Sequence, residues 1–487
     1  MLARMTRTPP VGTLPEDTRR ASATTIESGG IEAIPPERRH GSPWQLFATW
    51  TAPNLEFATI FVGVIAVAFF GLGFWQAMTA LVFGTAFGAL TQGILSTWGP
   101  REGLAQMVIG RTAFGSRGNI LPSALNTVMA GLGWFAVNSV SGAFALTTLT
   151  GMPAVVSLLI VVVVEVVVAF IGHDLVQLFE RYATYILGAI FLVATVTVFL
   201  HANLGAPVKG GGFSFAGWTL TAAAAFGYAA GWNPYASDYS RYLPADASRK
   251  VIGWAAGLGN FVSCVVLMAA GAAAATIAGF NPDDPTASFT ASMPVVIRDL
   301  TLLAIAVGAI AANALNIYSG AMSFLAAGIR IPFAWRRAIV ALGFGVIGFF
   351  IAWSALPDAG AKYENFLLVI AYWIAPWLGV VLTDRLLRRG TEIASLVTSH
   401  AKYRNPAGWI ALVAAGAVSI LLFSNQPFYT GPVAKALPIG DLTPLVGFLL
   451  AAVLYWVLFR AFKVRLGAPL ATEPTVIVGV DAADEVA

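Results

Sequence analysis

The sequence predicts an all-α polytopic membrane protein with twelve transmembrane helices. Three observations carry that expectation: the composition, the spacing of the apolar segments and the placement of the basic residues. Of 487 residues, 57% are hydrophobic and only 11% are charged, against about 45–50% and about 25% in soluble domains. So little charge cannot cover a soluble surface of this size, which excludes an ordinary cytosolic enzyme and intrinsic disorder alike. A single cysteine, Cys264, excludes an intramolecular disulfide framework and cysteine-based metal centres. The net charge of +4 comes from residues scattered through short loops. There is no basic stripe for nucleic acid.

Residues 1–43 are polar, contain Pro9-Pro10 and Pro35-Pro36, and lack the apolar core of a signal peptide. They read as a disordered N-terminal tail. Apolar segments follow at 46–71, 75–97, 119–149, 152–171, 181–200, 217–237, 250–278, 299–326, 335–354, 363–384, 407–424 and 441–461. Each is close to the roughly 20 residues that cross a bilayer core. Residues 462–487 read as a second short tail.

Twelve spans put both tails on one side. That side collects twenty-four of the 28 Lys and Arg residues, leaving only Lys209, Arg298, Lys362 and Lys435 opposite. Positive residues mark the cytoplasmic side, so both termini are expected in the cytoplasm and the chain in the plasma (inner) membrane.

Two spans are interrupted. Span 1 reads ATWTAPNLE from Ala48 to Glu56, and span 6 reads FGYAAGWNPY from Phe226 to Tyr235. Proline removes a backbone donor and clashes with the preceding turn, and Gly231 adds backbone freedom. Backbone freed in this way is tolerated in lipid only beside protein or a wet cavity. The interruptions lie five spans apart, each with an Asn beside its Pro. This is the pattern of an inverted-repeat transporter, whose substrate and ion sites lie at the breaks. The expected layout is a first repeat at 44–200, a second at 217–390, and two further helices within 404–461.

Intramembrane polar residues name the candidate site. Glu56 follows the span 1 break and suits either substrate N–H groups or a proton. Trp134 and Asn138, four apart in span 3, share a helix face. An indole plane beside an amide suits a flat heterocycle whose edge alternates N–H and C=O. Gly231 and Trp232 sit at the span 6 break, where the indole offers a second plane. Asn313 and Asn316, three apart, place two amides on one face of span 8. Ala52, Asn54 and Asn313 are candidates for a cation site. Glu165 sits inside the valine-rich run Val161–Val168 and is expected to be protonated or paired. Glu180-Arg181 reads as a structural ion pair.

Other patterns are bland. GFGVIG from Gly343 to Gly348 has dinucleotide-loop spacing but lies inside span 9 with no strand before it. Gly84/Gly88, Gly227/Gly231 and Gly253/Gly257 read as close helix packing. The histidines fall in tails, loops or span ends, and there is no HExxH or GxSxG, so no enzyme is expected. No span is polar along its whole length, which argues against a channel. A membrane sensor is the remaining reading from another class.

The string GWNPYASDYSRYLP from Gly231 to Pro244 resembles the signature of the purine–cytosine permease branch of the nucleobase:cation symporters. Further matches are RTAFG at Arg111–Gly115, FERY at Phe179–Tyr182, NALNIYSG at Asn313–Gly320 and APWLG at Ala375–Gly379. The resemblance runs over nearly all of 44–460. It implies the leucine-transporter-type fold, with spans 1–5 and 6–10 as inverted repeats plus two extra helices. It also implies cation-coupled import of a nucleobase such as cytosine or a purine by alternating access. Trp134 and Trp232 would hold the flat base, while Asn138 and Asn313 or Asn316 read its edge. No cofactor or obligate protein partner is implied beyond the lipid bilayer, the substrate and a coupling Na+ or H+. Sodium-coupled relatives use span 8 hydroxyls where Ala311 and Ala312 stand here, and Glu56 makes the proton the other candidate. Another planar heterocycle, such as a vitamin precursor, a hydantoin or allantoin, is the alternative substrate.

Overall fold

The computed structural model describes residues 31–171, 173–208, 211–329, 333–393, 396–397 and 403–469, with the backbone alone at 169–183 and 333–341. The outer parts of both tails and the Glu180-Arg181 side chains lie outside the described residues.

Among the described residues the twelve apolar segments are mostly helical and keep their span numbers as labels. Span 1 is split into Gln45–Asn54 and Phe57–Phe69, bent by 63°. Span 2 is Phe74–Ser96, span 3 Ile120–Thr150, span 4 Ala154–Ile171 and span 5 His173–His201. Span 6 is split into Phe215–Ala230 and Ala236–Ser240. Spans 7 and 8 are Arg249–Ala274 and Val295–Ala326. Spans 9 to 12 are Phe333–Ala355, Ala359–Leu387, Pro406–Phe423 and Thr443–Ala461. By length and apolarity, eight helices among the described residues can each cross a membrane, or nine if the bent pair is one span. Large apolar side chains stand exposed around the rim, such as Phe83 at 62%, Leu90 at 61% and Leu192 at 59%. In water that surface would aggregate; in lipid it is the natural face of a multi-pass protein.

Two helix groups form the body. Spans 1, 2, 6 and 7 pack together, as do spans 3, 4, 8 and 9, while spans 5 and 10 flank them. Lipid supplies no hydrophobic drive between helices, so small residues that let backbones touch decide the packing. A Cβ at Gly63 would collide with the Met268 carbonyl, and one at Gly271 with the Ile60 carbonyl, so spans 1 and 7 meet backbone to backbone. Gly84 and Gly88 of span 2 meet the backbone of span 6 at Ala222 and Ala230 in the same way.

Spans 11 and 12 brace span 10 at both ends. On the tail-bearing face Asp384 accepts hydrogen bonds from Arg388 (2.7 Å), Thr112 (2.7 Å) and Tyr455 (2.6 Å). Arg388 also donates to the carbonyls of Arg465 and Leu466, both at 2.6 Å. At the opposite end Tyr372 donates to Asp441, which also accepts from the Asn425 N–H at 2.9 Å. The segment just before span 1, expected as the end of the tail, is seated on the tail-bearing face. Ile34 N–H donates to the Gly103 carbonyl (2.9 Å), Arg39 to the Pro100 carbonyl (2.6 Å), and His40 N–H to the Tyr242 carbonyl (2.6 Å).

Candidate functional site

The breaks in spans 1 and 6 are built differently. In span 1, Pro53 sits in a 3-10 turn over Ala52–Asn54. Leu55 then adopts φ −79°, ψ 65°, and the Glu56 N–H donates to the Asn54 carbonyl at 2.9 Å, which is an inverse γ-turn. Glu56 is extended (φ −150°, ψ 171°) before the helix resumes at Phe57. The reversal drives a carboxyl that is 1% exposed into the space between the two helix groups.

Asn54 fastens the turn in place. Its amide donates to the Trp50 carbonyl (2.9 Å) and reaches Ser263 (3.0 Å) and Asn260 (3.3 Å) of span 7. Its oxygen accepts from Trp232 Nε1 at 2.9 Å, joining the two breaks directly. Thr59 donates to the Asn54 carbonyl at 2.6 Å and meets the Tyr228 hydroxyl. Tyr228 also donates to Glu56 Oε1 at 3.1 Å.

In span 6, Pro234 likewise sits in a 3-10 turn, Asn233–Tyr235. Gly231 has ordinary helical angles, φ −52° and ψ −29°, so its absent side chain serves contact rather than backbone freedom. A Cβ there would lie 3.0 Å from the Trp134 ring. The indole of span 3 thus lies directly on the glycine at the break. Span 3 itself is π-wound over Met129–Trp134, a local widening common at functional positions.

Trp134 and Trp232 are nearly parallel, 9° apart, with centroids separated by 6.4 Å. A planar ring inserted between two others needs about 7 Å, twice the ~3.5 Å contact distance of carbon atoms. Tyr228 meets Trp134 edge-on at 5.4 Å, and Phe366 does so at 5.3 Å.

Amides crowd beside the rings. With its NH2 turned to span 1, Asn138 donates to both Glu56 oxygens (3.2 and 3.1 Å) and accepts from Asn316 Nδ2 at 3.2 Å. In the reverse orientation it donates to Asn313 Oδ1 at 3.0 Å. Asn313 donates to the Phe135 carbonyl (3.0 Å) and Ser139 (3.3 Å), which leaves its oxygen facing the other amides. Asn316 Nδ2 lies 3.3 Å from that oxygen, and Asn316 Oδ1 accepts from Tyr235 at 3.3 Å. Ser139 Oγ is 2.6 Å from Glu165 Oε2, which extends the network to span 4.

The structure therefore brings Glu56, Trp134, Asn138, Gly231, Trp232, Asn313 and Asn316 to one place. The turn that holds Ala52 and Asn54 packs against span 8, the helix of Asn313. The Ala52 carbonyl accepts from Leu55 N–H at 3.0 Å, and the Asn54 side chain is committed to spans 1, 6 and 7. On span 8, Gly308 abuts the Leu55 carbonyl, and Ala311 and Ala312 are fully buried without a hydroxyl. Sequence reasoning missed Tyr228 and Ser139. Tyr228 lies in the last turn of the helix before the span 6 break; Ser139 adjoins Asn138.

A helix group that contains two broken helices, packed against a second group, with indoles and amides meeting at the breaks, is the architecture of a multi-pass membrane carrier. Residues 33–447 match the family described as permease for cytosine/purines, uracil, thiamine, allantoin, and the chain belongs to that family of permeases, which are not enzymes. It is 30% identical to a putative purine-cytosine permease of Bacillus subtilis, covering 91% of this chain and 98% of that one. It is 28% identical to a purine-cytosine permease of Emericella nidulans, covering 92% and 91%. Among solved structures, the nucleobase-cation-symport-1 family transporter Mhp1, in a closed conformation with bromovinylhydantoin bound, superposes with a TM-score of 0.71 at 18% identity. That superposition covers 91% of this chain and 97% of Mhp1 and shows a shared fold.

Proposed function

We propose that the chain imports a nucleobase, cytosine or a purine, across the plasma membrane by cation-coupled alternating access, with both termini cytoplasmic. The nearly parallel pair Trp134 and Trp232, edged by Glu56, Asn138, Asn313 and Asn316, carries this reading. Two indole faces hold a flat ring without regard to its edge, because every base has a π-face. The amides and the carboxyl then select the edge, since a buried polar group left unpaired is costly. Spans 1–5 and 6–10 act as inverted repeats whose relative rocking exposes the site to either side.

The coupling ion in this reading is the proton. Glu56 lies inside the substrate layer, and span 8 offers Gly308, Ala311 and Ala312 beside the break rather than hydroxyl ligands. Glu56 accepts from Tyr228 and Asn138, so its protonation state is sensed by the groups that read the base.

Radiolabelled cytosine, adenine, hypoxanthine and uracil, offered to whole cells with sodium and pH varied, test the whole reading. Uptake of at least one base, driven by an inward pH gradient and indifferent to sodium, is expected. A strict sodium requirement overturns the proton assignment. Accumulation of none of the four, with thermal stabilisation of the purified protein by thiamine or allantoin instead, moves the substrate to another planar heterocycle.

A further inference from the structure

Span 4 carries a carboxyl that the transport reading leaves unused. Val163, Val164 and Val167 face outward, as lipid-facing residues do, and Glu165 on the opposite side is fully buried. Glu165 Oε2 lies 2.6 Å from Ser139 Oγ, and Oε1 has no hydrogen-bond partner among the described residues. A carboxylate buried with one hydroxyl for a partner is costly, so the site suits a group that can hold a proton.

Span 4 packs on spans 3, 5, 8 and 9. Ser139 of span 3 and Asn313 of span 8 face Glu165, and the Glu56 carboxyl of span 1 acts on it across the network. The other charged side chains of span 8, Arg298 and Asp299, pair with each other at its start, and the Tyr318 hydroxyl is taken by Arg241 and Tyr242. Span 9 meets span 4 at Gly345 against Val166, and residues 342–355 carry no titratable group. On span 5 the described titratable side chains are Tyr185, which is exposed, and His201 at the end, bonded to the Thr197 carbonyl. Among these groups Glu56 is the ionisable side chain that acts on Glu165.

Each carboxyl meets a side chain that can turn. Asn138 and Ser139 are neighbours in span 3 and so point about 100° apart, one toward span 1 and the other toward span 4. The Asn138 amide either donates to both Glu56 oxygens or turns and donates to Asn313 Oδ1 at 3.0 Å. In the second orientation its oxygen faces Glu56, and the two pair only if Glu56 carries a proton. Ser139 has one hydroxyl proton and two acceptors in reach, Glu165 Oε2 at 2.6 Å and the Phe135 carbonyl at 2.7 Å. An ionised Glu165 accepts from that hydroxyl. A neutral Glu165 donates to Ser139 Oγ instead and turns the hydroxyl to Phe135. Asn313 is the fixed point between the two, its NH2 held on the Phe135 carbonyl (3.0 Å) and on Ser139 (3.3 Å).

We infer that Glu165 is a second proton site of the carrier, read by Ser139 and Asn313 as Glu56 is read by Asn138, and that the base binds best while Glu165 is neutral. The inference rests on the nucleobase and proton readings above. Glu165 acts through Ser139 and Asn313 and is a positioning residue. Ionised, it draws the Ser139 hydroxyl and the Asn313 amide toward span 4 and sets a second negative charge beside the layer that holds a neutral ring. Base affinity is therefore full while Glu165 keeps its proton and declines as rising pH removes it.

The test is equilibrium binding of tritiated cytosine and tritiated adenine to the full chain in lipid nanodiscs, from mildly acid to mildly alkaline pH. Glu56→Gln removes the first proton site, and its affinity is still expected to fall by about threefold or more as pH rises, the worth of one hydrogen bond inside a membrane. Adding Glu165→Gln, which keeps a donor for Ser139 but cannot ionise, is expected to abolish that fall. Adding Ser139→Ala instead, which removes the turning hydroxyl and keeps the carboxyl, is expected to shrink it, and decides the matter if Glu165→Gln does not fold. If Glu56→Gln binds no base, the comparison is made in the wild-type background, where Glu165→Gln is expected to reduce the fall and an unchanged fall overturns the inference. An affinity of Glu56→Gln that does not change with pH, or a fall that survives the deciding substitution, overturns the second proton site and leaves the transport reading standing. Binding of no base by the wild type at any pH overturns both.

Discussion

The two broken helices share a proline in a 3-10 turn beside an asparagine, yet they do opposite work. The span 1 break ends in an inverse γ-turn that projects a carboxyl, and it is held by polar ties to spans 6 and 7. The span 6 break projects an indole and hosts another on a bare glycine. In the proposed reading, one break addresses the edge of a ligand and the other its faces. Edge contacts are directional and discriminate; face contacts are tolerant and hold. In the same reading, the carboxyl at the edge is the group proposed to exchange the coupling proton.

The largest expected effect separates coupling from binding. Glu56→Gln keeps shape and one acceptor but removes the exchangeable charge. Concentrative uptake driven by a pH gradient is expected to fall to the level of passive equilibration, at least about tenfold. Counterflow of preloaded base in proteoliposomes is expected to persist. Gradient-driven accumulation by Glu56→Gln at the wild-type level would remove span 1 from the coupling step.

Next come the faces. Stacking on an aromatic is worth about 1–3 kcal/mol per base, and each 1.4 kcal/mol is about tenfold in affinity. Trp134→Ala and Trp232→Ala are each expected to raise KM for the base roughly 5- to 150-fold. Trp232→Ala should also remove the donor to the Asn54 side-chain oxygen, so its melting temperature is expected to drop further than that of Trp134→Ala. If both variants show the same KM as the wild type while remaining at the cell surface, the indole pair does not hold the substrate.

Tyr228 ties the two functions together, because its hydroxyl donates to Glu56 while its ring buttresses Trp134. Tyr228→Phe removes the first and keeps the second. A hydrogen bond to a charged group is worth about 1.5–3 kcal/mol, while those measured inside membranes average about 0.6 kcal/mol. A two- to tenfold rise in KM with the pH profile of uptake displaced is therefore expected. A variant that changes stability alone would make Tyr228 a packing residue.

Much of this was legible from residues alone. Lipid imposes strong rules, so the spans, their interruptions and the basic asymmetry follow from composition and proline placement. The facing of Trp134 with Asn138, and of Asn313 with Asn316, follows from helical spacing. What spacing cannot supply is the relation between helices far apart in sequence. Tyr228 looks like ordinary aromatic filling until span 1 brings Glu56 within 3.1 Å of it. The γ-turn at Leu55 and the π-winding before Trp134 have no residue signature of their own. Arg39 and His40 carry no mark that they dock on Pro100 and Tyr242, because the loop that receives them is created by the fold.

The smallest expected effect tests the detail on which the contrast between the breaks turns. Gly231 reads in sequence as a point of flexibility, but its angles are those of any helical residue and its Cα faces the Trp134 ring. Alanine there has allowed backbone angles, and because Gly231 caps the helix it gains at most a part of the about 0.8–1 kcal/mol that alanine holds over glycine in a helix interior. Against this, its methyl would sit 3.0 Å from Trp134, tighter than an ordinary carbon contact, and overpacking costs about 1–3 kcal/mol. The overpacking term outweighs the gain, by up to about 2 kcal/mol, so Gly231→Ala is expected to melt a few degrees below the wild type. The ring, however, must yield by a few tenths of an ångström, toward or away from Trp232. KM is therefore expected to change by about two- to fivefold without a change in coupling. A glycine needed for hinge motion would show the opposite pattern, with KM preserved and turnover lost, and that result would return flexibility to the span 6 break.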